Sequence, residues 1–371
     1  MTPFPAPFPR RATWLGPLLA WLLGIALPWT TPGGELHRIT DLSGFQATTN
    51  TAGTEVILES TRLPASAPWN ELILSWNASA PEGTYCEFEA RGIGTGGATS
   101  YFNLGKWAES TNRLVRGSAG RQRDPDGEVA TDVLRLRSPA TAYQLRIHLN
   151  RSPGHPWPSP RFLAISLIDT QHPPVPRAPD RTAWGQVLDV PQSSQHAFAG
   201  GKAWCSPTSL SMVLGYWAET LPDPSLRVSV PEVAGGVFDP GWNGTGNWPF
   251  NTAYVSRWPA LRGYVARLDD LRDLEQRIGE GIPVIISVSL NLLRQRPPAA
   301  DDGHLVVVVG FNAAGDVWVN DPDTTHPPVA GRTIRRLYPR GTVDKAWSAS
   351  RRTAYILCPV DRDPPPRQPG S

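Results

Sequence analysis

The sequence predicts a multidomain chain: an N-terminal all-β antiparallel sandwich followed by a C-terminal α+β domain. Residues 35–169 hold short alternating apolar runs separated by Gly, Pro, Ser and Asn clusters, with no helical period of comparable strength, which is the pattern of an antiparallel sandwich. Residues 183–360 open on apolar residues at helical spacing and close on strand-like runs, and helices ahead of an antiparallel sheet make an α+β domain. Between them, residues 170–182 contain Pro173, Pro174, Pro176 and Pro179. Proline at this density favours extended polyproline geometry and cannot continue a sheet ladder, so the segment reads as a semi-rigid linker.

Composition agrees with two folded parts. The chain has 371 residues, enough for two domains and tails. Its 40 Pro and 34 Gly exceed ordinary usage but stay below a low-complexity share, while 15 Trp and 40% hydrophobic residues supply packed cores. Lys and Arg number 35 against 33 Asp and Glu, a net charge of +2, which leaves no electrostatic footprint for nucleic acid. Three cysteines, Cys86, Cys205 and Cys358, exclude a disulfide scaffold and a four-thiolate zinc site. His148, His155, His172, His196 and His326 are scattered without a ligand pair, so neither a metal nor another cofactor is expected. A monomer is expected.

The elements follow in order. Residues 1–33 place Arg10 and Arg11 before an uncharged apolar run at 14–29, the layout of a signal peptide or an uncleaved N-terminal membrane anchor. Either reading puts the chain outside the cytoplasm, secreted or at the cell surface. In the sandwich, strands are expected at 55–59, 71–76, 86–90, 132–136, 143–149 and 161–168, with Glu71, Arg135, Arg137, Arg146 and His148 on a solvated face. Trp69, Trp76, Tyr85, Tyr101 and Trp107 could form a sugar platform, but core packing is the better reading. In the second domain, helices are expected at 206–218 and 269–279, then strands at 283–290, 304–311, 316–320 and 353–357. Residues 361–371 form a Pro-rich tail expected to be disordered.

One group of residues points to chemistry. Cys205 immediately precedes the first turn of the helix at 206–218, where backbone N–H groups favour an anion and so lower a thiol pKa. His304 opens the apolar run 305–309 and is expected at the exposed rim of that strand, a rigid place from which a base can reach a cleft. If residues 312–315 make a tight turn, Asp321 at the end of the next strand becomes a neighbour of His304 and can orient its ring. Each residue also has a bland reading: a small buried hydrophobe, a surface histidine, a turn aspartate. Jointly they have the order of a papain-like thiol hydrolase. An oxyanion donor would come from Gln195, with Gln192 the competing choice. Trp204 beside Cys205, and Trp242, Trp248 and Asn251 in the Gly- and Asn-rich stretch 241–251, could line a substrate site; packing of that loop on the core is an equal reading.

The segments Asp189-Val190-Pro191 to Gln195, Trp204-Cys205-Ser206-Pro207-Thr208, Gly303-His304-Leu305 and Val319-Asn320-Asp321-Pro322 resemble the double-glycine-leader peptidases and their secreted peptidase-like relatives, family thirty-nine of the cysteine peptidases. The resemblance spans residues 186–359. It implies a papain-like cysteine peptidase domain in the C-terminal part, with Cys205 as nucleophile, His304 as base and acid, Asp321 as orienting group and Gln195 as oxyanion donor. Ser206 stands where many members have Gly, the loop from Gln195 to Cys205 is long, and no GxxxxGK[ST] phosphate loop is present. Leader processing is therefore not implied. The expected function is an exported cysteine hydrolase, a peptidase or amidase acting on a peptide or protein, cell-wall peptide included. The alternative is a non-catalytic surface or carbohydrate-binding protein on a degenerate peptidase scaffold.

Overall fold

Antiparallel strands fill the N-terminal part, joined by hydrogen bonds into an 11-stranded sheet in the computed structural model, which describes residues 34–110, 116–325 and 333–363. The segment expected to be a signal or anchor, and the tail beyond 363, lie outside the described residues. Among the described residues no helix is long and apolar enough to cross a membrane. Strands Glu55–Glu59, Leu63–Ser79, Thr84–Gly94 and Ser159–Ile168 take up four of the predicted runs. The runs at 132–136 and 143–149 are instead a single strand, Val133–Arg151. It survives by changing partners: residues 133–136 pair with Gly127–Ala130 and residues 142–151 with Thr84–Gly94. Its register against Leu63–Ser79 shifts around Ala140, so Pro139 falls where the ladder is broken and no N–H is required.

Alternation sends the large apolar side chains inward. Trp69, Trp76 and Trp107 are each 1% exposed or less, and Trp76 stacks on Phe88 at 4.1 Å between ring centroids, so these aromatics are core. Glu71 corrects the expected solvated face. It is buried, and Arg135, Arg267 and Arg351 all pair with its carboxylate. Two of those arginines come from the C-terminal part, which covers the face that an isolated sandwich would leave wet.

In that part, six antiparallel strands run in the order Leu261–Arg267, Thr353–Pro359, Val284–Ser289, Gly303–Phe311, Val317–Asn320, Arg335–Tyr338. The helix Cys205–Thr220 packs on the strand Gly303–Phe311. The helix predicted at 269–279 spans Leu271–Gly279, with the Asp270 carboxylate capping its Arg272 N–H. Both edge strands escape the sequence reading. Leu261–Arg267 carries Gly263, whose missing Cβ lets the Thr252 carbonyl oxygen approach to 2.7 Å from where that Cβ would stand; in sequence a glycine reads as a break.

The two sheets are fastened by more than apolar contact. Ser75 and Ser166 hydroxyls accept the Val265 and Arg267 N–H groups, and Asn77 bonds both the N–H and the C=O of Gly263. Side chains of one sheet thus satisfy the backbone of the other sheet's edge strand, a polar edge that otherwise invites foreign strands. Phe250, on the helix Trp248–Tyr254, enters the first sheet's aromatic core beside Trp76 and Trp107, at 6.2 and 5.7 Å between centroids. Buried side chains of both parts form one continuous cluster. The Pro-rich segment is strapped to the helix Leu271–Gly279, Arg177 bonding Asp270 and Asp273 and the Asp180 N–H bonding Glu275. Cys86 and Cys358 are unpaired and buried, and burial, with a lesser push from nearby carboxylates, holds both thiols protonated by raising their pKa.

Candidate active site

Cys205 is the first residue of its helix, with Trp204 at the cap position. No side chain caps the helix start, so the N–H groups of the first turn are free of intrahelical partners. Pro207 removes one such donor at a position where none is needed. The helix start is pinned from the next sheet strand: the Ser209 hydroxyl donates to the Leu305 carbonyl at 3.2 Å, and the Leu305 N–H is directed at the Cys205 sulfur. Inside the helix, Ser206 shares a buried 3.1 Å hydrogen bond with the Tyr355 hydroxyl. Cys205 as a residue is half-buried.

The tight turn forms as expected. Gly315 adopts φ +88°, its N–H bonds the Asn312 carbonyl, and strands Gly303–Phe311 and Val317–Asn320 pair antiparallel. The hairpin brings His304 Nε2 to 2.8 Å from Asp321 Oδ1. That bond leaves Nδ1 as the ring atom available to the Cys205 thiol beside it. The expected exposed rim is corrected: His304 is 3% exposed and Asp321 fully buried, because neighbouring backbone and side chains close over them. Asp321 accepts the Asp323 N–H, has Tyr338 Oη at 3.3 Å on its other oxygen, and lies near Arg336.

The charges follow from these neighbours. Burial by itself raises the Cys205 pKa, but the hydrogen bond and charge of His304, with the N–H groups of Leu305 and Ser206, bring it below the ordinary thiol value. Burial by itself lowers the His304 pKa, yet Asp321 and the thiolate lift it to about 10. Burial likewise opposes ionisation of Asp321, and His304 and the Asp323 N–H overcome it. The three shifts all run in the direction that favours the thiolate, imidazolium and carboxylate forms.

Gln195 is buried, and its segment is bound to the one carrying Asp321. The Gln195 N–H donates to the Pro322 carbonyl at 3.0 Å, the Ser194 hydroxyl to the Thr324 carbonyl at 2.5 Å, and Asn320 Nδ2 to the Val190 and Pro191 carbonyls at 3.2 Å. The loop 196–202 folds back, so that Gln195 Nε2 reaches the Lys202 carbonyl at 2.7 Å, three residues before Cys205. Gln192 is turned away: its carbonyl oxygen accepts the Arg335 N–H on the last sheet strand. Sequence reading missed His196, Asp323 and Arg294: the Asp323 carboxylate lies 2.5 Å from His196 Nε2 and accepts from Arg294 Nη2 at 2.6 Å. The carboxylate two residues past Asp321 was the available signal.

Trp204, Trp242, Trp248 and Asn251 are not brought together as a wall. Trp204 is half-buried, its ring against Gly200. Trp248 packs on the core, its N–H bonded to Asp132 at 2.8 Å. Asn251 is fully buried, and its amide holds the Thr245 and Asn247 carbonyls. Trp242 alone is exposed, at 50%. Among the described residues no group of three or more His, Cys, Asp or Glu is placed to hold a metal ion.

Two family models match the chain: the peptidase C39 N-terminal domain over residues 39–166, and the peptidase C39-like family over residues 187–355. Among curated proteins none matches. Among solved structures, a protein described as a C39-like peptidase from Bacillus anthracis is similar at 17% identity and TM-score 0.36, over 46% of this chain and 96% of its own. A structure from the Gx strain of infectious bursal disease virus is similar at 13% identity and TM-score 0.19, over 36% of this chain and 32% of its own. At these TM-scores neither likeness bears on how the site works.

Proposed function

Since the chain belongs to the peptidase C39 family, we propose that it cleaves peptide bonds by thiol chemistry at Cys205. The observation that carries the reading is the contact chain Cys205, His304, Asp321. The thiolate attacks the scissile carbonyl carbon, a C–S bond forms, and the carbonyl electrons move to oxygen. The Cys205 N–H and an amide proton of Gln195 hold that oxyanion. Collapse expels the amine, which leaves with the proton from His304. Water then attacks the thioester while His304 takes its proton; the C–S bond breaks, the carboxylic acid departs and the thiolate and imidazolium are restored. Asp321 keeps the ring oriented throughout and favours its charged form each time it regains the proton. Export is part of the proposal, supported by Arg10, Arg11 and the apolar run at 14–29, and cell fractionation tests it.

The decisive test is the pH dependence of Cys205 alkylation by iodoacetamide. In the wild type the reaction stays fast well below the ordinary thiol pKa of about 8.5, and in His304→Ala its midpoint moves up toward that value. Cys205→Ala loses both labelling and peptide hydrolysis. An unshifted profile in His304→Ala overturns the pairing; labelling no faster than that of a free thiol favours the non-catalytic scaffold.

A further inference from the structure

The loop from Phe238 to Asn247 joins the helices Val230–Val237 and Trp248–Tyr254, and residues of the first sheet's part hold it from outside. Among the described residues Arg116, 3% exposed, donates only to carbonyls. Its guanidinium is spent on carbonyls: Nε on Phe238 at 2.9 Å, Nη2 on Gly235 at 2.6 Å, and Nη1 on Ala108 at 3.0 Å. Gly235 and Phe238 lie at the C-terminal end of the helix Val230–Val237, where carbonyls lack intrahelical donors and a cation is favoured. The Arg116 side chain also lies over the Trp107 ring at 5.5 Å.

One residue further on, the buried Asp239 carboxylate gathers the loop. It accepts the N–H groups of Ser118 and Gly241 and the Asn247 side-chain amide, each at 2.9 Å, while its backbone pairs with Gly244. From the closed loop, the Thr245 hydroxyl donates to the Ala203 carbonyl at 3.2 Å. Ala203 is two residues before Cys205, within about 7 Å along an extended chain. Trp242 projects from this loop with its ring over Gly244 and Gly246, and a Cβ at either glycine would meet it at 2.7 and 3.1 Å. The ring is therefore seated on the loop while half of the residue stays exposed. Phe238, 38% exposed, adds apolar surface on the same loop.

Resting on the thiol-peptidase reading, we infer that the N-terminal β part is a component of the substrate cleft: Arg116 and Asp239 are positioning residues that hold Trp242 against an apolar side chain of a bound peptide. A rigid aromatic face on a loop bonded to the segment just before the nucleophile gives contact area at small loss of rotamer freedom. The loop's backbone is fixed by the other sheet's part, so selectivity for peptide side chains depends on residues far from the reacting atoms in sequence.

The test compares two tripeptidyl chloromethyl ketones, one built of Phe and Leu and one of Gly, as alkylating agents for Cys205, with melting temperature measured on every variant. In the wild type the apolar reagent reacts faster, and Trp242→Ala lowers the ratio of the two rates about tenfold, the scale of one lost apolar contact. Arg116→Lys keeps the charge but not the fork of donors, and Asp239→Asn replaces one acceptor by a donor facing Asn247; each lowers the ratio several-fold at a melting temperature near that of the wild type. A merely structural role would slow or speed both reagents together. An unchanged ratio in Trp242→Ala overturns this inference while Cys205 still reacts. No reaction of wild-type Cys205 with either reagent beyond that of a free thiol removes the thiol reading, and this inference with it.

Discussion

At His304, two neighbours decide the chemistry. The ring is buried, which favours its neutral form, yet Asp321 on one side and the thiolate on the other keep it charged. The carboxylate's share can be separated from its orienting role. In Asp321→Asn the amide oxygen can still accept the Nε2 proton, but the negative charge is gone. Hydrolysis should therefore persist at a reduced rate, with the alkaline limb of the rate profile, set near pH 10 by His304, moved to lower pH. Asp321→Ala loses orientation as well, and kcat should fall by about 10²–10⁴. Equal pH profiles in the wild type and Asp321→Asn, measured on one peptide substrate, would show that the charge is not used.

Among the elements, the short helix Trp248–Tyr254 carries the junction between the two parts. Its first N–H is held by Asp132 of the N-terminal part, and Phe250 lies in the aromatic core of that part. Burial raises the Asp132 pKa to about 7 against the opposing pull of the Trp248 N–H and Arg267. In the unfolded chain the same carboxyl ionises near pH 3.9. Between about pH 4 and pH 7 the unfolded state alone gives up this proton, so Asp132 subtracts stability as pH rises through that window, and fully above it. Asp132→Asn removes the ionisation and keeps an acceptor for Trp248. It should raise the melting temperature at pH 8, through a stability gain of about 4 kcal/mol at most, and leave it nearly unchanged at pH 4. Calorimetry at the two pH values checks the sign.

For the whole molecule, the fastening of one sheet's edge strand by Ser75, Asn77 and Ser166 of the other has a thermodynamic consequence. Unfolding either part would break these hydrogen bonds, at about 0.5–1.5 kcal/mol net each, and would expose the apolar surface and aromatic contacts of Phe250 to water. Urea unfolding should therefore be a single transition, with far-ultraviolet dichroism and Trp fluorescence coinciding. Two resolved transitions would show that the parts fold independently.

The local sequence determined what depends on neighbours along the chain. Alternation named the strand at 55–59, helical spacing named the helix after Cys205, and a glycine-containing turn implied that His304 and Asp321 would meet. These are short-range consequences of side-chain period and backbone sterics. Four segments, those of Gln195, Cys205, His304 and Asp321, together carried the resemblance to the family. What depends on distant residues was not legible. Glu71 reads as a solvated strand residue and is buried, since Arg267 and Arg351 arrive from more than a hundred residues away. Asn251 reads as a loop residue and is an internal brace. Gly263 reads as a break and lies in an edge strand, because its N–H and C=O are met by Asn77. Burial and charge at such positions are set by which surfaces pack together, and packing is non-directional in sequence; only the tertiary structure decided it.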